Sequence, residues 1–283
     1  MGTNRRHIAG KEQENMRELC MAIEMPMEVT EDAVKFDREF DYAAAREGME
    51  KLFAVQTWEE GLAELKKCLG EDPKGFKILA CMLHCCQRTW DFYKAHDISG
   101  GIFVDTMKCF SRFVREHKES FGAYGFDRQW WTARQLCGLL FRIGELEYEM
   151  RKEGGKNVIS LHIPSDALLT REKVLHSIRQ AGVFLDEKFP EYAGAETECH
   201  SWLLSPTLKE MLPPGSNILA FQELFDIEVL GEDQAEEYKV WVFKRSDIPL
   251  AELPENTSLQ RRMKDYLLSG GKMLEAKGRL KAL

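Results

Sequence analysis

The sequence predicts an α+β protein in two parts: an all-helical N-terminal domain over residues 1–143, then a mixed, mainly antiparallel sheet with flanking helices over residues 144–283. Three observations carry this. Apolar residues recur at helical spacing as far as Leu139, with no convincing strand among them. At Gly144 the period drops from 3.6 to 2, and beyond it short alternating runs are separated by turn residues and one long helical segment. The mixture excludes an all-parallel doubly wound sheet, because hairpins need antiparallel neighbours. A length of 283 residues, 44% of them apolar and 30% charged, suffices for two cores and excludes disordered or fibrous chains.

The helical half reads in order. Residues 11–24 form an amphipathic run stopped before Pro26, Thr30 is placed to cap a helix reaching Phe40, and an Ala-rich stretch follows over 42–53. Thr57 and Glu60 have capping-box spacing, and Gly70 ends the helix they open. Asp72-Pro73 supplies a cap and a first-turn proline for a segment reaching Ala95. Ser99-Gly100-Gly101 breaks the chain before a helix over 102–119 carrying Phe103, Met107, Phe110, Phe113 and Val114. Asp127 then caps a helix with Trp130, Trp131 and Leu136.

In the second half, Glu145, Glu147 and Glu149 alternate with Leu146, Tyr148 and Met150, the pattern of a half-buried strand with a solvated acidic face. A double-glycine turn leads to a strand over 157–163, and Thr170 caps a helix through Lys188. Further strands are expected at 199–204, 225–230 and 238–243, with short helices at 206–212 and 216–223 and polar helices closing the chain.

A net charge of −8 argues against a protein built to coat nucleic acid or anionic membrane. The polar N-terminus and the lack of a long apolar run predict a cytoplasmic protein. The cysteines Cys20, Cys68, Cys81, Cys85, Cys86, Cys109, Cys137 and Cys199 are then free thiols. Cys81, His84 and Cys85 fall on one side of a helix, yet no second cluster completes a zinc site, so no metal is expected. Aromatic residues from Phe121 to Trp131 suit a packing seam or the lining of a pocket. The tail from Arg261 to Lys281 is basic, and could be a solvated helix or a clamp on an anionic ligand.

Five blocks occur in one order: Gly144-Glu145-Leu146-Glu147-Tyr148-Glu149, His162-Ile163-Pro164, Cys199-His200-Ser201-Trp202-Leu203-Leu204-Ser205-Pro206, Ser216-Asn217-Ile218-Leu219-Ala220-Phe221-Gln222 and Thr257-Ser258-Leu259-Gln260-Arg261-Arg262. Together they resemble the bacterial N-acyltransferase family with a helical N-terminal domain and a GNAT-like C-terminal domain. The resemblance implies an acyl-CoA-dependent N-acyltransferase, with acyl-CoA or acetyl-CoA as co-substrate and an amine acceptor that it does not specify. It also implies that the strands at 157–163 and 199–205 splay to admit the thioester. The chain lacks the Arg/Gln-x-x-Gly-x-Gly/Ala phosphate turn usual in GNAT enzymes, which leaves a non-catalytic binding or sensor module on a degenerate fold as the alternative.

Acyl transfer from a thioester to an amine needs a base. His162, at the end of one strand implied to splay, and His200, at the start of the other, are the first candidates. Glu147 and Glu149 are carboxylate alternatives, and Cys199 would be the nucleophile of a thiol-dependent reaction. For the ligand, the loop from His162 to Thr170 leads into a helix N-terminus, whose N–H groups and dipole suit a phosphate. Ser165 and Thr170 there, with Ser201 and Asn217, are the candidate cofactor-binding residues.

Overall fold

The computed structural model describes residues 16–234 and 236–282; residues 11–15 of the first expected helix lie outside these. The chain divides after Phe141 into two units, the second being Arg142–Leu283.

The first unit contains the helices α1 (described from 16 to 22), α2 (Met27–Glu39), α3 (Arg46–Lys51), α4 (Trp58–Leu69), α5 (Phe76–Ala95), α6 (Gly100–Phe121) and α7 (Gln129–Leu136). Its core is built on α5 and α6, where Leu79, Met82, Cys86, Met107 and Phe110 are buried with Ile23 and Leu65. Phe126 joins them, its ring 5.8 Å from that of Phe110.

Several helix starts differ from those expected. Helix α2 opens at Pro26, so Thr30 lies inside it and donates its hydroxyl to the Pro26 carbonyl at 3.1 Å. Thr57 does stand at the start of α4, but its hydroxyl donates to the Lys51 carbonyl and Glu60 pairs with Lys51 instead of closing a capping box. Helix α5 begins after Gly75, later than the proline suggested, although Asp72 still accepts the Ile78 N–H at 3.0 Å. Gly75 has φ +69°, and a β-carbon there would lie 1.9 Å from the Phe126 carbonyl oxygen, so only glycine fits. The Ser99 hydroxyl caps α6, which takes Gly100 and Gly101 as its first residues.

A six-stranded sheet follows, its first strand spanning the division and the rest within the second unit, in the order β1-β2-β3-β4-β6-β5: β1 (Leu140–Ile143), β2 (Leu146–Glu153), β3 (Lys156–His162), β4 (Glu196–His200), β5 (Phe225–Glu232) and β6 (Leu274–Leu280). Strand β2 pairs antiparallel with β3, β3 parallel with β4, and β6 antiparallel with both β4 and β5. The parallel pair requires a crossover, supplied by α8 (Arg171–Lys188). Further helices are α9 (Asn217–Gln222), α10 (Glu237–Phe243) and α11 (Ser258–Leu268), the last opened by a capping box between Thr257 and Gln260.

Two segments reverse the expected type. Residues 238–243 form α10, with Tyr238, Val242 and Phe243 at helical spacing packed on Met263 and Met273. Residues 274–280, expected as a polar helix, form β6 inside the sheet. There Ala276 and Gly278 lie buried, and a β-carbon on Gly278 would touch Phe225 and Leu204. Strand β1 was not expected at all, and β4 ends at His200, giving way to a 3-10 turn over Trp202–Leu204. A second 3-10 turn, Pro206–Glu210, stands where a helix was expected.

The basic residues of the tail are engaged. Lys264 is ion-paired with Glu255, Arg262 donates to the Met211 carbonyl, and Lys277 and Arg279 on β6 pair with Glu228 and Glu196. They tie strands and turns together and do not form a free clamp.

Candidate active site

Strand register decides which side chains meet. In the β2–β3 ladder Glu149 stands opposite Ser160 and Glu147 opposite His162; in the β3–β4 ladder Ser160 stands opposite Glu198. Directly paired residues project from the same face, and residues two apart along a strand do so too. Glu147, Glu149, Ser160, His162, Glu198 and His200 therefore share one face of the sheet. The other face carries Tyr148, Ile159, Leu161 and Cys199, and packs against α8 through a hydrogen bond between the Tyr148 hydroxyl and Ser177 Oγ at 2.9 Å.

The parallel ladder stops early. Its last pair is Ser160 with Glu198; Leu161 and His162 pair onward only with β2, and Cys199 and His200 only with β6. The two strands thus part at their C-terminal ends. His162 and His200 stand on either side of the opening and on the same face.

Alternation along β2 suggested a solvated row of carboxylates, and this is corrected for two of them: Glu147 and Glu149 are both buried. Glu149 is held by a 2.9 Å contact between its Oε2 and His162 Nε2, with the Glu149 side chain 8% and that of His162 20% exposed. His200 is more open, 59% exposed, and its Nε2 lies 2.8 Å from Glu275 Oε1 on β6.

The β3–α8 loop is fixed by two groups that sequence reasoning passed over for this role. Arg142 on β1 donates from Nε to the Gly144 carbonyl at 2.8 Å and from Nη1 to Asp166 at 2.9 Å. Glu145 accepts the Leu168 N–H at 2.8 Å and pairs with Lys173 at 2.9 Å. Burial works against the Glu145 charge, but that N–H and the Lys173 ammonium outweigh it and hold the carboxyl below the usual range. A charged arginine inside an otherwise apolar four-residue strand was the available signal for Arg142.

Among the candidate ligand-binding residues, Ser165 lies in this loop, and Thr170 precedes α8 without capping it through its side chain. Ser201 is already used, its hydroxyl accepting the Leu203 N–H at 3.2 Å. Asn217 is the first residue of α9, where the cap is Ser216. The site residues thus fall into a paired group at the strand opening (Glu147, Glu149, His162, His200), a loop group (Ser165, Thr170) and two outlying positions.

Cys199 is fully buried on the α8 face, and burial pushes its thiol far above the ordinary value. It therefore lacks the thiolate that a nucleophile requires. Cys81 and Cys85 are buried in the helical core, and among the described residues no three His, Cys, Asp or Glu side chains converge as metal ligands. No described helix is long and apolar enough to cross a membrane.

The architecture is that of acyltransferases. Residues 140–280 match the GNAT-like C-terminal domain and residues 14–138 the N-acyltransferase N-terminal domain. The chain belongs to the N-acyltransferase family defined by that pair of domains. Similar solved structures include an acyltransferase in complex with decanoyl-CoA, 24% identical with a TM-score of 0.78, covering 94% of this chain and 87% of the other. An acyltransferase in complex with decanoyl-CoA and teicoplanin is 23% identical over the same shares, with a TM-score of 0.77. A third, in complex with CoA and 10C-teicoplanin, is 23% identical with a TM-score of 0.78. No curated protein sequence matches the chain.

Proposed function

We propose that this protein transfers an acyl group from an acyl-CoA thioester to an amine, at the opening between β3 and β4. The observation that carries the reading is the early end of the parallel ladder at Ser160 and Glu198, which leaves Glu149, His162 and His200 on the same face beside the parted strands. That the similar acyltransferases hold CoA or decanoyl-CoA supports the choice of donor. The teicoplanin complex supports a small-molecule acceptor.

The residues present fit such a donor. The loop over 163–170, braced by Arg142 and Glu145, delivers the first turn of α8, where the N–H groups of Arg171, Glu172 and Lys173 have no intrahelical acceptor and can receive a pyrophosphate. Ser165 and Thr170 add hydroxyls beside them. No glycine motif shapes this loop, so backbone approach depends on the Arg142 and Glu145 braces.

The chemistry then runs through the Glu149–His162 pair. Glu149 holds His162 by Nε2, and the paired imidazole takes the proton as the acceptor nitrogen attacks the thioester carbonyl. The carbon–nitrogen bond forms, the carbon–sulfur bond breaks, and the departing CoA thiolate is protonated. Glu147 is buried opposite His162, and His200 with Glu275 lies across the opening, placed to give the leaving thiolate its proton. Calorimetric titration with coenzyme A and octanoyl-CoA tests the donor. Saturable binding is expected, and no heat at about 1 mM ligand, a free energy of about −4 kcal/mol, would refute it.

A further inference from the structure

The helical unit contains a cavity of about 580 Å³, lined by Met16, Leu19 and Ala22 of α1, Asp37 of α2, His84 of α5 and Trp90, among others. That volume falls in the range of sites that enclose a whole small molecule, which are apolar with a few convergent polar groups. The lining here is mostly apolar, and its ionisable members are Glu18, Asp37, His84 and Cys86, with no lysine or arginine.

Asp37 is the telling residue. Its side chain is 5% exposed, and two partners converge on one oxygen: the Tyr42 hydroxyl donates to Oδ1 at 2.7 Å and His84 Nδ1 lies 3.2 Å from the same atom. Tyr42 stacks on the His84 ring with centroids 3.8 Å apart, so the trio is rigid. Oδ2 makes no hydrogen bond among the described residues. Oδ2 keeps contact with solvent on the cavity side, and the nitrogen of a ligand can take the place of water there. Trp90 adds apolar ring surface to the lining, and the Lys94 ammonium already lies 6.0 Å from its ring centroid.

We propose that this cavity binds a hydrophobic ammonium compound, its charged nitrogen on Asp37 Oδ2 and its apolar body against Leu19, Trp90 and Phe103. The cavity lies within the first unit, and the proposal stands independently of the acyl-transfer reading.

Octylamine, octanol and octanoate, titrated separately into the full chain by calorimetry, test it. Octylamine is expected to bind saturably and at least tenfold more tightly than octanol, with octanoate weakest. Asp37→Asn should erase the preference of amine over alcohol. Ala22→Trp, at an exposed position on the rim, should abolish binding of both while leaving the circular-dichroism spectrum and the coenzyme A titration unchanged. Octanoate binding as tightly as octylamine, or octylamine binding unaltered in folded Ala22→Trp, would overturn the proposal.

Discussion

Ser177→Ala removes a single oxygen from α8, and the structure says how much should follow. Ser177 is fully buried. Its one proton goes to the Ile143 carbonyl, so its oxygen must accept both the Leu146 N–H at 3.3 Å and the Tyr148 hydroxyl at 2.9 Å. Alanine leaves two buried donors and one carbonyl at the β1–β2 turn without partners. Each orphaned buried group costs about 1–3 kcal/mol, and with partial relaxation the loss should total about 2–4 kcal/mol. Tyr148→Phe removes one of those donors along with its bond and should cost about 1 kcal/mol. The double variant should then be less unstable than the two single costs added together, by about 1 kcal/mol or more, because it leaves only one donor orphaned. Urea unfolding of the full chain, read by hydrogen exchange at the β2 and β3 amides, measures all three. Strict additivity, or a Ser177→Ala cost below about 0.5 kcal/mol, would show that this node does not fix β2, the strand carrying Glu147 and Glu149.

Four further predictions concern other parts of the molecule. Glu149→Gln should lower the rate of CoA thiol release by about 10²–10⁴-fold with little change in stability, whereas His200→Ala abolishing turnover while Glu149→Gln left it intact would move the base to His200. Gly75→Ala should cost well over 1 kcal/mol, since it combines φ +69° with a clash against the Phe126 carbonyl, and a neutral urea midpoint would contradict this. Burial raises Cys20 to about 11 and Cys81 to about 12, above the unfolded value of about 8.5, so the stability they give is intact below about pH 8.5 and lost as pH rises toward the folded values. The urea midpoint of the helical unit should fall between pH 8 and 10. At pH 8 iodoacetamide should label exposed Cys68 and spare Cys199.

The helical half was readable because helix signals are local: apolar spacing and Gly70 as a stop act within a turn or two of the chain. The candidate site was legible as residue types on strands near Gly144, but their arrangement was not. Glu147 and Glu149 read as a solvated row because alternation reports only that two faces differ, and burial depends on what covers the outer one. The run over 238–243 is rich in β-branched and aromatic residues, so its type was set by packing on Met263 and Met273 instead of by propensity.

By itself, then, the sequence determined the helix-then-sheet composition, the change of period at Gly144 and a family resemblance carried by short blocks. Tertiary structure alone decided that β6 inserts between β4 and β5, and where β3 and β4 part, after Ser160 and Glu198. Strand partners here lie tens of residues apart, and their choice rests on hydrogen bonds and side-chain contacts that no local window of sequence contains. The pairing of Glu149 with His162 depends on register in the same way, because a one-residue slip would send the two side chains to opposite faces.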